Sequence, residues 1–261
     1  MRRTLQLCSL TLAMLPSCGA TEDTSPPAVP VGAVAFIDED PDPGHIEITV
    51  VAGLARWEYL PGKPADVWAY SDANAPDAAA QVPGPMLVGR VGDRVTVHLR
   101  NDLPEPTTIH WHGLKVPAAH DGSHVSQRPV APGDSFTYEF TLTDAGTFWF
   151  HPHLDSENQI ERGLYAPIVV RGADEVEVDA ERVLVLDDVK VESSGELSET
   201  ITPLDLMVGR QGNVLLVNGS KQPQLTSQAG ARERWRLLNA ANGTFFKVTL
   251  PGHTLRVIAW D

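Results

Sequence analysis

Short segments in which apolar and polar residues alternate, separated by closely spaced turn signals, constrain the fold of this chain more than any other feature. Residues 46–50, 94–100 and 135–142 alternate in this way and favour strands through their β-branched and aromatic side chains. Gly and Pro mark turns between such segments, at Pro61-Gly62, Pro83-Gly84-Pro85, Gly92-Asp93, Pro132-Gly133-Asp134 and Ala145-Gly146. No long segment has a helical period. The sequence therefore predicts an all-β fold, either a sandwich or a barrel.

Composition divides the chain into four regions. Residues 1–18 combine Arg2 and Arg3 with a short apolar core, which predicts a signal peptide. Residues 19–44 are rich in Pro, Asp, Glu, Ser and Thr and lack a hydrophobic period, which predicts a flexible linker. Strand-like segments then fill residues 45–172 and resume in residues 173–261, which predicts two β domains. The second domain stops directly on a strand-like segment, so we expect it to be incomplete.

The end of the predicted signal peptide bears on cellular location. Leu15-Pro16-Ser17-Cys18 resembles a bacterial lipobox. We therefore expect an exported protein, periplasmic or anchored to the cell envelope as a lipoprotein through a lipid on Cys18, with simple cleavage nearby as the alternative. The other cysteine, Cys8, lies inside the signal peptide, so no intramolecular disulfide is expected in the mature chain. A blue copper centre needs a cysteine thiolate, and no cysteine follows residue 18.

Charge and hydrophobicity exclude some classes of partner. The formal net charge of −14 argues against nucleic-acid binding, which requires a basic surface. Hydrophobic residues make up 42% and charged residues 21% of the chain, which is typical of a soluble globular body. Beyond the signal peptide no apolar run reaches the length of about 18 residues that predicts a membrane-spanning helix.

Two His-x-His pairs, His110-Trp111-His112 and His151-Pro152-His153, indicate a metal site. Residues i and i+2 of an extended strand point to the same face, about 6.7 Å apart, so each pair can bind one metal or two neighbouring metals. Random placement of the nine histidines would give only about 0.3 such pairs. The alternative is that these are ordinary strand histidines with satisfied hydrogen bonds.

The donor type narrows the choice of metal. Imidazole donors without carboxylate or thiolate favour copper or zinc over calcium or magnesium, and spacing does not decide between copper and zinc. His98 lies on the polar face of its predicted strand, and we interpret it as a solvated residue rather than a ligand.

Several motifs, taken together, look like the amino-terminal cupredoxin domain of a multicopper oxidase, the family of laccases, bilirubin oxidases and bacterial cuprous oxidases. These motifs are Thr-Ile-His-Trp-His-Gly-Leu at 108–114, Pro-Gly at 132–133, Gly-Thr-Phe-Trp-Phe-His-Pro-His at 146–153 and Gly-Leu-Tyr-Ala-Pro-Ile-Val-Val at 163–170. Residues 215–219 and 234–240 are similar to the family's second domain. The resemblance implies cupredoxin-like Greek-key β-sandwich domains, one complete and a second apparently incomplete.

The resemblance also implies roles for individual residues. His110 would bind the type 2 copper, His112 and His151 one type 3 copper, and His153 the other type 3 copper. Asp121 resembles the family's acidic residue that helps to deliver protons to oxygen, although an ordinary turn Asp is the alternative.

Histidines and aromatic residues lie close to these predicted ligands in the sequence. We expect His120 and His124, which flank Asp121, to be solvated loop residues. Four aromatic residues would form a dry shell around the metal, or simply core: Trp111, Phe148, Trp149 and Phe150.

The chain also departs from the family pattern. In the family a third domain supplies the other four histidines of the trinuclear copper site and the Cys and His of the type 1 copper, and those motifs are absent here. The resemblance implies a copper-dependent oxidase that couples one-electron oxidation of a phenol, aromatic amine or metal ion to reduction of O2 to water. This chain would supply half of the trinuclear site and be inactive alone. The alternatives are a non-catalytic cupredoxin-like copper-binding protein of the cell envelope, or a copper or zinc store.

Overall fold

A computed structural model describes residue 30, residues 33–75 and residues 80–260. The predicted signal peptide, Cys18 and half of the predicted linker lie outside these residues. Within the described part of the chain, no helix combines the length and apolar character needed to cross a membrane.

Strands make up nearly all of the regular secondary structure of the described residues, with only short helical turns, so the all-β prediction is confirmed. The strands are β1 (His45–Leu60), β2 (Lys63–Asp72), β3 (Leu87–Arg90), β4 (Arg94–Asn101), β5 (His110–His112), β6 (Ser135–Thr141), β7 (Gly146–His151), β8 (Ala166–Arg171), β9 (Ala180–Val189), β10 (Val214–Val217) and β11 (Glu233–Asn239). The helices are α1 (Ser156–Glu161), α2 (Pro203–Val208) and a 3-10 turn at Ala118–His120.

Two mixed sheets form the first domain. One has the strand order β2-β1-β4-β6 and the other the order β3-β8-β7-β5. β1 pairs with β4 in parallel, and β3 pairs with β8 in parallel, while the other pairs are antiparallel. Because neighbours such as β1 and β4 are far apart in the chain, the connections must cross the sandwich, as in Greek-key folds.

The core of the first domain lies between these two sheets. The inward residues of β4, Val95, Val97 and Leu99, are almost fully buried, while the residues between them are partly exposed. Trp111 and Phe150 enter the same core from the second sheet. Removing an aliphatic side chain of this size from water contributes about 1.5–3 kcal/mol, so the alternation read from the sequence sets the inner face of each strand.

The segment before β1 contacts the first domain. The Phe36 amide donates to the carbonyl oxygen of Met86 at 3.0 Å, and the Phe36 side chain packs against the core. The Ile37 amide donates to the Asp72 carboxylate at 2.8 Å. Residues 33–37, which form part of the predicted linker, are therefore hydrogen-bonded to the sandwich.

β9, β10 and β11 form a third sheet, in the order β10-β9-β11. Val183, Val185 and Leu216 of this sheet share one apolar cluster with Tyr59 and Val169 of the first domain. Apolar packing thus holds the third sheet against the first domain.

The strand-like segment on which the second domain was expected to stop, residues 255–260, forms no strand, so that prediction is wrong for the described structure. Its apolar side chains are exposed, Trp260 to 86%. A strand requires a hydrogen-bonding neighbour, and no described segment pairs with these residues.

Candidate metal centre

The pairing of β5 with β7 brings the two His-x-His motifs together. The strands are antiparallel, and His110 lies opposite His151, while Trp111 lies opposite Phe150. Because side chains alternate along a strand, His110, His112 and His151 share one face, and the two aromatic residues point into the core. The chain then continues past Pro152 and places His153 beside the same face.

The four imidazole rings form a compact group. His112 Nδ1 lies 3.2 Å from His151 Nε2. The rings of His110 and His153 are stacked, with centroids 3.8 Å apart and planes 12° apart. Donor atoms of His110, His112 and His151 all lie within 4.8 Å of one another, and so do those of His110, Asp121 and His153. The structure therefore brings all four predicted histidines and Asp121 together.

Hydrogen bonds determine which nitrogen each ring can offer. His151 Nδ1 donates to the Pro152 carbonyl oxygen at 2.9 Å, which leaves Nε2 with its lone pair. His110 Nδ1 lies 3.1 Å from both the carboxylate and the carbonyl oxygen of Asp121, so it carries the proton and Nε2 is available. Such acceptors hold metal-binding imidazoles in one tautomer and orientation.

Burial favours the neutral form of these rings. His151 is only 6% exposed, and burial lowers its pKa to about 3, to which repulsion from the neighbouring histidines contributes. Burial also lowers the pKa of His112 and of His153. A neutral imidazole has the free lone pair that a metal needs, so the site presents nitrogen donors at neutral pH.

Asp121 reaches the site because a glycine follows it. Gly122 has a φ of +75°, and a Cβ there would lie 2.1 Å from the Ile109 carbonyl oxygen. Only glycine allows this loop to lie directly against the chain entering β5. The carboxylate of Asp121 consequently contacts His110 and remains about one-third exposed at 32%.

His120 and His124, which flank Asp121, differ in their contacts. His120 accepts a hydrogen bond from the Glu139 amide at its Nδ1, 3.0 Å away, and its carbonyl oxygen accepts one from the Trp111 indole, also at 3.0 Å. The prediction that His120 is a solvated loop residue is therefore wrong, because it fastens the loop to β5 and β6. His124 is exposed, as expected.

Two residues that support the site were not singled out from the sequence. The Thr108 hydroxyl accepts a hydrogen bond from the His153 amide at 3.1 Å. The Tyr138 hydroxyl accepts one from the Ile109 amide at 2.8 Å. Thr108 lies two residues before His110, so the same period that relates the histidines could have identified it. Tyr138 is distant in sequence and carried no local signal.

An aromatic side chain covers part of the histidine face. The Trp149 ring lies 4.2 Å from the ring of His151 and 5.1 Å from that of His112, measured between centroids. Phe150 and Trp111, on the opposite face, are fully buried. Of the predicted aromatic shell, Trp149 contacts the histidines, whereas Trp111, Phe148 and Phe150 belong to the core.

The donor set fits copper. Four imidazoles converge, two of them with nitrogens 3.2 Å apart, and nitrogen donors of this type suit copper or zinc. The outer contacts to Pro152 and Asp121 are those that a metal-binding histidine requires.

Comparison with known proteins identifies the family. Residues 63–175 and residues 187–261 each match a family model described as multicopper oxidase. The chain is 32% identical over 210 residues to the multicopper oxidase MmcO of Mycobacterium tuberculosis, covering 69% of this chain and 41% of that protein. It is 34% identical over 189 residues to Laccase-1 of Botryotinia fuckeliana, covering 69% of this chain and 33% of that protein.

Solved structures agree with these matches. The crystal structure of a multicopper oxidase from Pseudomonas thermotolerans superposes with a TM-score of 0.74 at 36% identity, covering 80% of this chain and 49% of that one. McoA from Aquifex aeolicus superposes with a TM-score of 0.67 at 26% identity, covering 83% of this chain and 46% of that one. The chain thus spans less than half of each of these relatives. In both sequence and fold, this chain is a member of the multicopper oxidase family.

Proposed function

We propose that this chain supplies half of a trinuclear copper site in a laccase-like oxidase, which couples one-electron oxidation of a reducing substrate to the reduction of O2 to water. The observation that carries the proposal is the cross-strand pairing of His110 with His151, which unites both His-x-His motifs on one face. Copper bound there would supply the one-electron redox chemistry that O2 reduction requires.

The histidines divide into roles by their contacts. We assign His112 and His151 to one type 3 copper, which the 3.2 Å distance between His112 Nδ1 and His151 Nε2 supports. His110, held by Asp121, is assigned to the type 2 copper, and His153 to the second type 3 copper. The His153 amide donates to the Thr108 hydroxyl, which fixes the backbone of that residue beside the other histidines.

Asp121 is proposed to act in two ways. By accepting the His110 Nδ1 proton it fixes the orientation of that ring. Its partly exposed carboxylate also lies between solvent and the histidines, where it can pass protons to reduced oxygen. Trp149, which covers His112 and His151, would keep bulk water from that side of the site.

The remaining copper ligands are proposed to come from a further cupredoxin domain. The four histidines form only one wall of a site, and the relatives that contain the whole activity are more than twice as long as the matched region. On this proposal the 261-residue chain alone does not turn over substrate. The electron donor is a phenol, an aromatic amine or a metal ion, and the protein is exported to the periplasm or anchored to the cell envelope.

Copper titration of the purified chain tests the proposal. We expect His112→Ala and His151→Ala each to weaken copper binding by at least about tenfold, because each leaves its partner nitrogen without a second donor. His124→Ala is the matched control, since it removes an exposed imidazole from the nearby loop. Equal affinities in all three variants and the parent would overturn the proposal. A scaffold that has lost metal binding would take up no copper at these residues.

A further inference from the structure

A second group of metal-binding side chains lies on the outer face of the first sheet, away from the sandwich core. It is built around His45 and Glu47, the first and third residues of β1. Both are partly exposed, while Ile46 between them is buried. The period of two that aligns the His-x-His pairs therefore also aligns this imidazole and this carboxylate on one face.

A loop residue completes the group. The Asp40 carboxylate lies 2.6 Å from His45 Nδ1. One donor atom from each of Asp40, His45 and Glu47 lies within 4.8 Å of the others. These residues are separate from the candidate copper centre, whose strands β5 and β7 belong to the other sheet.

Residues of the neighbouring strands orient these donors. His45 Nε2 lies 2.9 Å from the Thr96 hydroxyl, so Nδ1 is the nitrogen that faces Asp40. His98 Nε2 lies 2.8 Å from Glu47 Oε1, and its Nδ1 lies 3.1 Å from the Thr137 hydroxyl. His45 and Glu47 thus each have an outer partner that holds them, which is the arrangement found around metal ligands in proteins.

We propose that Asp40, His45 and Glu47 form a second metal site, for a divalent transition-metal ion of the zinc type, with His98 as the residue that positions Glu47. One imidazole, two carboxylates and a water give the four donors that zinc prefers. The two carboxylates also supply the negative charge that balances the ion. Calcium is disfavoured because one donor is an imidazole nitrogen.

The geometry requires a small adjustment when the ion binds. Tetrahedral zinc with bonds of about 2.0–2.1 Å holds its donors about 3.3 Å apart. Asp40 and His45, now 2.6 Å apart across a shared proton, must therefore separate slightly as the ion replaces that proton. Both side chains are partly exposed, at 23% and 17%, and Asp40 lies in a loop, so this movement is available to them.

The bound ion would have a structural consequence. Asp40 belongs to the segment before β1, whereas His45 and Glu47 belong to the strand itself. An ion held by all three would fasten that segment to the sheet. Zinc binding at this site should therefore raise the thermal unfolding temperature of the chain, because a ligand of the folded state alone stabilises it.

Zinc titration calorimetry on the full 261-residue chain tests the proposal. His110→Ala and His151→Ala are combined as the background, so that the candidate copper centre does not obscure the second site. We expect this background to bind one zinc ion, and Asp40→Asn and His45→Gln each to weaken that binding by at least about tenfold.

The matched control is Asp42→Asn. Asp42 is a neighbouring loop carboxylate that pairs with Arg94 rather than with His45, at 3.2 Å. Asparagine at either position keeps the oxygen that accepts a backbone amide, from Asp42 in one case and Gly44 in the other. The two variants therefore differ chiefly in which carboxylate charge is lost.

Two outcomes would overturn the proposal: no zinc binding by the background protein, or an unchanged zinc affinity in Asp40→Asn. Circular dichroism verifies folding of each variant. If His45→Gln does not fold, the comparison of Asp40→Asn with Asp42→Asn still decides the matter, because both are conservative loop substitutions.

Discussion

His112 Nδ1 and His151 Nε2 lie 3.2 Å apart although the two residues are separated by 39 positions in the chain. The contact follows from the antiparallel register of β5 and β7 and from the burial that keeps His151 neutral.

Substitution of His110 and of His153 should have different spectroscopic effects in an enzyme that contains the complete site. We expect His110→Ala to remove mainly the type 2 copper and His153→Ala to uncouple the type 3 pair. Electron paramagnetic resonance separates the two results, because a spin-coupled pair is silent and an isolated copper(II) is not. Identical copper contents and spectra for the two variants would contradict the assignment.

Asp121 variants should separate the positioning role from the proton role. Asp121→Ala removes the acceptor of the His110 Nδ1 proton, so we expect copper affinity at that histidine to fall by about 10- to 100-fold. Asp121→Asn keeps an oxygen acceptor for the His110 proton, but an amide cannot take up and release a proton as a carboxylate does. We therefore expect nearly normal copper binding with about 10²-fold slower reoxidation by O2 in the complete enzyme.

The reoxidation rate is measured by stopped-flow mixing of the reduced enzyme with O2. Parent-like rates in Asp121→Asn would restrict Asp121 to holding His110. Parent-like copper affinity in Asp121→Ala would leave it as a turn residue.

Gly122→Ala should destabilise the first domain more than an alanine at an open glycine with similar backbone. A Cβ at Gly122 would meet the Ile109 carbonyl oxygen at 2.1 Å. Gly133 has a similar φ of +81° but no atom within 4 Å of its Cβ position, so it is the control. We expect Gly133→Ala to cost about 1–2 kcal/mol from the left-handed backbone alone, and Gly122→Ala about 1–3 kcal/mol more from the clash.

Urea unfolding monitored by tryptophan fluorescence gives both free energies of unfolding. Equal losses would show that the loop carrying Asp121 can move away from β5 without cost. The copper affinity of Gly122→Ala then reports whether displacement of Asp121 alone is sufficient to weaken the site.

Asp187 should make stability depend on pH. Its carboxyl group is 4% exposed, and burial raises its pKa to about 7, whereas the unfolded value is near 3.8. The folded state therefore holds a proton that the unfolded state loses. The contribution of the protonated Asp187 to the free energy of unfolding is fully present below about pH 4 and is lost as pH rises to about 7. The total loss is of the order of 4 kcal/mol.

Asp187→Asn removes this ionisation while keeping an oxygen for the Asp188 amide and a polar group for the Tyr165 hydroxyl, which now donates to Asp187 at 2.5 Å. As the pH rises from 4 to 7, we expect the free energy of unfolding of the parent to fall relative to that of the variant. Chemical denaturation at several pH values measures it. A difference that does not change with pH would refute the role of Asp187.

The amino-acid sequence by itself predicted which residues form most strands and which side chains are candidate metal ligands. Both conclusions follow from the period of two: it marks the inner face of β4 through Val95, Val97 and Leu99, and it marks the histidine face of β5 through His110 and His112. The burial of Trp111 and Phe150 could be predicted for the same reason, because these apolar side chains alternate with the histidines and point to the opposite face.

Strand pairing was decided only by the tertiary structure. The parallel contact of β1 with β4, and the register that places His110 opposite His151, join residues about 40 or more positions apart. Such pairs depend on how two sheets close over one core, and no local pattern encodes that closure. The same closure supplies Tyr138 to the backbone at Ile109 and places Glu139 beside His120, which the sequence left as a solvated residue.

Asp121 and the group at His45 show which features the sequence predicts and which require the tertiary structure. Local sequence places Asp121 in a turn before Gly122, but only the packing of that turn against Ile109 brings its carboxylate to His110. Likewise the sequence aligns His45 with Glu47 on one strand, whereas Asp40 and His98 reach them from a loop and from β4. Side chains on one strand share a face through backbone geometry, but donors from different segments converge only when the core has fixed those segments in place.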